Sequence, residues 1–541
     1  MQRKYQRTIK APSRLNLFQK SKHELEYETH EATIIYQFVT TYSLQKGIKK
    51  FGGRGLSSAQ KEMQQMHDRT CFVPIHKSDL TKVERRKALE SLIFLTEKND
   101  GRIKARHCAN GSSQRQYMLT EDVSSPTISA EATLLTSAID AEENRNVATL
   151  DIPNAFIQTE MEDKEEKVIM KIRGKLVEIL CNIDTKYEDF VVKENEKKVI
   201  YVHIKKAIYG LLESALLFYR KLSSDLIEYG FEINPYEPCV ANKNIGGSQL
   251  TVTWHVDDVK ISHINNDEIE RCIQWFKDKY GKIGEVKVNR GKIHKYLGMV
   301  LDFSQEGAVI VDVSQHISNM ESTFPEDLSK LKVKSPWNDD LFKVDPTSKK
   351  LDSERASIFH TITYQGLFMA QRGRPDVSPA IAFCTTRVHE STEEDWSKLR
   401  RMMIFLINTK DDKLVIKNDG DRKVNWFVDA SFAVHPDYKS QSGMMMTMGQ
   451  GALKSSSMKQ KINTRSSTEA ELVAVDDMIS SIVWTKNFLI AQGYDLKDNI
   501  LFQDNTSAIK LEENGRKSIG KRSRHLNIRL FLLQIKLKKE M

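Results

Sequence analysis

The sequence predicts an α+β chain of several domains, and three patterns carry that expectation. Residues 249–263 read as a β-hairpin. Leu250, Val252, Trp254 and Val256 alternate with Thr251, Thr253 and His255 at the strand period of two, and Val259 and Ile261 resume after an Asp-Asp tip. Residues 359–410 read as two or three helices. From Val424 onward strand and helix patterns alternate, as in a small α/β domain. A length of 541 residues leaves room for roughly three or four domains. Hydrophobic residues make up 40% and charged residues 29%, which excludes a fully disordered chain. No apolar run approaches the roughly 18 residues that cross a bilayer, so no membrane partner is expected. Six cysteines, none spaced as CxxC, speak against a disulfide framework or a zinc finger and favour a reducing compartment.

In chain order, residues 1–58 read as a basic arm or linker with one strand or helix at Ala32 to Tyr42 and a glycine turn at Gly52-Gly53-Arg54-Gly55. Glu84 to Leu95 reads as helical, from Ala88, Leu89, Leu92 and Leu95. Asn99-Asp100-Gly101-Arg102 reads as a hairpin turn between Ile93–Leu95 and Ile103. Glu131 to Ala141 reads as a helix and Val147 to Ile152 as a strand. After the 249–263 hairpin comes a helix capped by Asn266, with Ile269, Ile273, Phe276 and Tyr280 on one face and Gly281 as its stop. Residues 328–355 are rich in Lys, Asp, Ser and Pro and read as a boundary, and the charged stretch Lys417 to Lys423 as another. The net charge of +9 is concentrated at the ends: eleven Lys/Arg against four Glu in residues 1–60, and ten against three in 510–541. Basic ends fit polyanion contact and solvated tails equally well.

Two groups of carboxylates stand out. Asp151 ends the apolar strand Ala148 to Ile152, and Asp257 and Asp258 sit at the hairpin tip. Adjacent carboxylates at an apolar turn repel one another unless a cation offsets them. Three together suit a hard divalent ion such as Mg²⁺, and a pair of ions can activate a nucleophile and stabilise a leaving oxygen in phosphoryl transfer. In the second group, Asp429 ends the strand around Trp426 and Asp504 ends the strand Ile500 to Phe502. Glu469 and Glu471 lie at the start of a helix capped by Ser467 or Thr468. Either glutamate can serve the metal, and the other then belongs to the helix dipole.

The first half resembles the reverse transcriptase of copia-type LTR retrotransposon Pol polyproteins. Asp151-x-x-x-Ala155-Phe156 looks like polymerase motif A, and His255-Val256-Asp257-Asp258 like the YVDD box with His in place of Tyr. Ala207-Ile208-Tyr209-Gly210-Leu211 with Glu213-Ser214-Ala215 and Phe218-Tyr219 is similar to the block YGLKQAPRAWY. Gly101 to Arg106 with Ala109-Asn110-Gly111 and Gln114 is similar to GRIKARLVARGFTQ. Lys295-Tyr296-Leu297-Gly298-Met299 is similar to KYFLGIEI, and Arg374-Pro375-Asp376 to TRPDI. The resemblance implies a right-hand polymerase with fingers, palm and thumb. It implies two Mg²⁺, or Mn²⁺, on Asp151, Asp257 and Asp258. Lys104, Arg106, Phe156 and Glu213 would form the nucleotide site, with Phe156 excluding a 2′-hydroxyl. Glu213 stands where these elements often carry Gln, so it would place an extra negative charge there.

The second half resembles the ribonuclease H of the same Pol proteins, whose motifs read VDAD, SSTEAEYVAL and DNxSA. The resemblance carries the catalytic and metal-binding roles to Asp429, Glu471 and Asp504. Arg522 to Arg529 resembles TKHIDIR, with Asn527 where Asp is expected. Gly515 to Arg522 nearly spells a P-loop but lacks its Ser/Thr and a preceding strand, and reads as a basic loop. The implied order is an arm (1–58), a reverse transcriptase (59–335), a helical connection (336–422) and a three-layer α/β ribonuclease H-like domain (423–541). The resemblance implies RNA template, DNA primer, RNA–DNA hybrid and dNTPs as partners. It also implies an intracellular location, in cytoplasmic virus-like particles or the nucleus. No zinc cluster, protease box or integrase core is evident, so the stretch resembles the later part of a Pol polyprotein. The alternative is a decayed or domesticated copy that binds nucleic acid without catalysis.

Overall fold

The computed structural model describes residues 41–98, 101–119, 123–161 and 167–514. Most of the expected basic arm, the near-P-loop and Asn527 lie outside the described residues. Among the described residues the fold is a mixed α+β one built on four sheets.

The first sheet has seven strands. It contains an antiparallel pair, Leu89–Glu97 with Ile103–Ala109, in which Leu95 faces Ala105 and Phe94 faces Arg106. The helix expected over Glu84 to Leu95 is therefore corrected. A short helix, Lys82–Lys87, starts at a Thr81–Glu84 capping box and ends at Ala88, and strand follows. Leu89, Ile93 and Leu95 are buried while Leu92 is exposed, so the apolar residues that mimicked a helical face follow a strand period. The linker reading also fails for residues 41–58. Thr41–Ser43 pairs with Leu89–Glu97, and the helices Leu44–Phe51 and Gly53–Asp68 pack behind the sheet. The glycines there serve packing: a Cβ on Gly47 would lie 2.5 Å from Leu95 Cδ1, and one on Gly55 3.2 Å from the same atom.

The second sheet runs in the order Lys287–Asn289, Asn146–Asp151, Asp258–His263, Ser248–His255, Val240–Ile245, Glu232–Ile233. Leu250, Val252 and Trp254 are buried, as expected, but Thr251 and Thr253 are buried too, so both faces are covered. The helix Asn266–Tyr280 buries Ile269, Ile273, Phe276 and Tyr280; its cap is Asn265 rather than Asn266. Helix Ala130–Glu142 is tied to the sheet by a fully buried ion pair between Asp140 and Lys260, with Arg145 3.8 Å from the same carboxylate. Breaking a buried pair of this kind strands a charge.

The third sheet crosses both sequence positions read as boundaries. Strand Leu414–Asn418 pairs with Ala308–Asp312 on one side and Gly449–Gln450 on the other. Residues 336–422 thus add a strand to their three helices, Ser353–Ala370, Ser378–Thr385 and Glu393–Asn408. The fourth sheet runs Lys454–Lys459, Gln441–Thr447, Lys423–Ser431, Asp498–Phe502, with the last two parallel. Helix Ser467–Ala491 packs on it, and the far end of this helix docks on the second sheet. Trp484 Nε1 donates to the Tyr236 carbonyl at 2.9 Å, and the Gln492 and Asn242 amides exchange hydrogen bonds at 2.7 and 3.0 Å.

One close approach fixes the loop after Lys197–Ile204 against the end of strand Ile103–Ala109. Ala109 N–H donates to the Tyr209 carbonyl at 2.8 Å and Gly111 N–H to the Gly210 carbonyl at 3.1 Å. Gly210 has φ +88°, and a Cβ there would lie 2.0 Å from the Ala109 carbonyl oxygen. Gly210→Ala therefore meets both a disfavoured backbone conformation and a backbone clash. The expected loss is about 3 kcal/mol of stability or more, read by urea denaturation; an unchanged midpoint would refute this account of the joint.

Candidate functional site

Asp258 is the direct cross-strand partner of Asp151, and His255 pairs with Asp258 across the hairpin. The turn is Val256–Asp257, so Asp258 is the first residue of the returning strand rather than part of the tip. Val256 sits at φ +57°, costly for a β-branched residue. The Ile152 N–H donates to the Asp257 carbonyl at 3.0 Å, which ties the tip to the Asp151 strand. All three aspartates line one cleft of about 1580 Å³.

Lys104 and Arg106 line the same cleft. They sit two residues apart on strand Ile103–Ala109 and so share a face, while Ala105, His107 and Ala109 are buried on the other. The Arg106 guanidinium lies 5.7 Å from the centre of the Tyr209 ring, and Phe156 meets that ring edge-on at 4.8 Å. Phe156 is thus beneath the cleft wall. Glu213 is placed differently from the expectation. It is buried, 3% exposed, where helix Ser214–Glu228 begins, and is not among the residues lining the cleft. Two cleft residues escaped the sequence reading. Lys287 Nζ lies 3.9 Å from an Asp151 carboxylate oxygen, brought there by a strand that no motif marks. Tyr209 was visible only as part of a block; the positive φ of the glycine after it is the signal that the chain turns sharply there.

The carboxylates crowd one another. Burial pushes Asp258 up to about 6, with Asp257 and Asp151 adding repulsion. Burial and Asp151 also hold Asp257 above its ordinary range, while Arg106 and Lys104 pull it back. Burial and the neighbouring Arg106 lower Lys104.

The second acid group is tighter. One ligand oxygen from each of Asp429, Glu471 and Asp504 lies within 4.8 Å of the others. Among the described residues this is the only group of three or more potential metal ligands so closely gathered. Asp429 belongs to strand Lys423–Ser431 and Asp504 follows the parallel strand Asp498–Phe502, so parallel pairing brings the two acids to the same end. The two glutamates are placed differently. Glu469 accepts the Arg465 N–H at 2.7 Å, one residue before the helix cap, and that cap is Ser466 rather than Ser467 or Thr468. Glu471 points into the acid group, 3.2 Å from the Gln503 amide. Burial pushes Glu471 up to about 7; the Gln503 hydrogen bond opposes this, and the charges of Asp429 and Asp504 add to it.

A pH dependence follows. Between about 4 and the raised values, the folded chain keeps protons on Asp258 and Glu471 that the unfolded chain has released. At these two acids the folded state then binds more protons, so their contribution to stability falls as pH rises from 5 to 8 in a chelator. Divalent cation should reduce the fall, because it favours the ionised acids of the folded state. Melting temperatures at pH 5 and 8, with and without Mg²⁺, test this; a fall that Mg²⁺ leaves untouched would refute it.

Residues 81–322 match the family described as reverse transcriptase (RNA-dependent DNA polymerase). Over 429 residues, 78% of the chain, it is 25% identical to the retrovirus-related Pol polyprotein from transposon RE2 of Arabidopsis thaliana, covering 27% of that protein. The Pol polyprotein from transposon TNT 1-94 of Nicotiana tabacum is 24% identical over 435 residues, 79% of this chain and 31% of that one. The transposon Ty1-DR6 Gag-Pol polyprotein of Saccharomyces cerevisiae is 23% identical over 467 residues, 83% and 24% respectively. The chain thus spans about a quarter to a third of the length of these relatives. A solved foamy viral protease-reverse transcriptase in complex with double-stranded DNA is similar with a TM-score of 0.49 at 13% identity, covering 89% of this chain and 68% of that one. Residues 81–322 thus carry the reverse transcriptase match, and over most of its length the chain is similar to the Pol polyproteins of copia-type retrotransposons.

Proposed function

We propose that the chain copies RNA into DNA at the Asp151–Asp257–Asp258 cleft and degrades the RNA of RNA–DNA hybrids at Asp429, Glu471 and Asp504. The observation that carries the first activity is the pairing of Asp151 with Asp258 across adjacent strands, in a cleft that also presents Lys104 and Arg106. Hard carboxylate oxygens that raise one another's pKa fit a divalent cation, Mg²⁺ first and Mn²⁺ as a substitute. Asp151, Asp257 and Asp258 would hold two such ions, which would activate the primer 3′-hydroxyl and neutralise the departing pyrophosphate when bound. Lys104 and Arg106 would grip the triphosphate of a dNTP, their shared strand face matching its line of anions. Tyr209 orients Arg106, and Phe156 beneath it limits the room for a 2′-hydroxyl.

In this reading the first sheet serves as fingers and the second as palm of a right hand. The Asp429–Glu471–Asp504 group would likewise hold two ions, for hydrolysis of the RNA strand. Its acids come from two parallel strand ends and a helix start, an arrangement that suits one shared metal site. The test is extension of a DNA primer on an RNA template with Mg²⁺, followed by cleavage of the hybrid. Extension that stops in EDTA supports the reading. Salt-dependent hybrid binding without synthesis or cleavage would overturn it in favour of a copy that only binds nucleic acid.

A further inference from the structure

Away from the aspartates, the cleft is lined by residues with no role in the chemistry just described: Gly298, His316, Gln365, Phe368 and Arg372. Arg372 stands out. Its guanidinium stacks on the Phe368 ring, 3.9 Å from the ring centre, and one terminal nitrogen donates to the Phe368 carbonyl at 3.3 Å. Its Nε is buried without a hydrogen-bond partner. No ion pair joins Arg372 to a carboxylate among the described residues, and the only influence on its pKa, pushed down to about 10, is loss of solvent. The guanidinium remains charged at neutral pH. The neighbouring histidine gives no compensation: burial holds His316 below its ordinary range, and its Nε2 donates to the Gly298 carbonyl at 2.6 Å.

Arg372 is half-buried, and a cation partly removed from water without a counter-charge is costly unless an anion arrives to complete it. A second unfilled group lies on the same wall: the Gln365 side-chain oxygen is buried and accepts no hydrogen bond. Gln365 and Phe368 lie three residues apart on helix Ser353–Ala370, and Arg372 follows in the turn after it. They sit on one wall, on elements separate from those carrying Lys104, Arg106 and the aspartates.

We propose that Arg372, held on Phe368, is a phosphodiester-binding subsite for the duplex in this cleft, with Gln365 beside it accepting a hydrogen bond from the same strand. This rests on the reading of the cleft as a template–primer site. Guanidinium suits the task because its fixed donors match phosphate oxygens while its face stays on the ring.

The test measures binding of the full chain to an RNA–DNA hybrid by fluorescence anisotropy across salt concentrations. Arg372→Gln should weaken binding by about tenfold at moderate salt and reduce the slope of log affinity against log salt by roughly one, the signature of one lost phosphate contact. Arg372→Lys should keep the slope while recovering only part of the affinity. A scan of the hybrid with single neutral methylphosphonate linkages needs no variant. One position should weaken binding to wild type while leaving binding to Arg372→Gln unchanged. If wild type extends primers but Arg372→Gln keeps the wild-type slope and no linkage separates the two proteins, the subsite is overturned and the polymerase reading stands. If wild type binds no hybrid, both fall together.

Discussion

Asp257→Asn is expected to lower the rate of primer extension by on the order of a thousandfold while leaving affinity for template–primer unchanged or slightly higher. The two halves of this expectation have the same cause. Asp257 lies at a turn whose backbone is tied to the Asp151 strand, and its carboxylate is desolvated among two like charges. That crowding is unfavourable until cations occupy the group, so removing one charge relieves repulsion in the free chain and also removes a ligand from the ions. A polyanion approaching the cleft meets one negative charge fewer, and binding does not suffer. Single-turnover extension and anisotropy on the same preparation separate the effects. Equal losses of rate and affinity would mean that the substitution damaged the cleft rather than its chemistry. Extension indifferent to the substitution would end the proposal that these aspartates are catalytic.

What the sequence disclosed, and what it hid, follows one physical line. The hairpin at Ser248–His255 and Asp258–His263 was legible because it is local: alternation, a two-residue tip and a flanking helix all lie within about thirty residues. Its link to Asp151 was legible from the apolar strand leading into that residue. Lys287 was not, because its place beside Asp151 depends on a short strand, Lys287–Asn289, added at the sheet edge by tertiary packing. Glu84 to Leu95 misled because Leu89, Leu92 and Leu95 satisfy a helical spacing by coincidence, and only burial shows which of them face inward. The glycines at 53 and 55 misled differently. They suggested a turn, yet both lie in the helix Gly53–Asp68, and Gly55 lets that helix approach Leu95. Glu213 was assigned to the nucleotide by position in a block, whereas the helix start that it occupies is buried. Strand pairings across positions 336 and 423 leave no local trace at all, since Leu414–Asn418 finds Ala308–Asp312 only in the folded chain.

Glu471→Gln should abolish hybrid cleavage and at the same time raise the melting temperature above pH 7 in the absence of divalent cations. Glu471 is buried, and Asp429 and Asp504 repel its ionised form, so a neutral amide of the same shape removes an unfavourable charge from the folded state. The Gln503 amide that now donates to Glu471 at 3.2 Å can still donate to the amide oxygen of a glutamine. The gain should vanish near pH 4, where the native glutamate is itself protonated, and should shrink in Mg²⁺, which stabilises only the wild-type acid group. Asp504→Asn removes a charge from an exposed position and should abolish cleavage with a smaller stability change. Hybrid cleavage of at least a hundredfold below wild type in both variants, with primer extension intact, is the expected pattern. Glu469→Gln separates the roles of the two glutamates. It weakens the contact to the Arg465 N–H before the helix, so it should lower stability and leave cleavage largely in place. If Glu469→Gln abolished cleavage and Glu471→Gln did not, the assignment of the helix-start acids would be reversed.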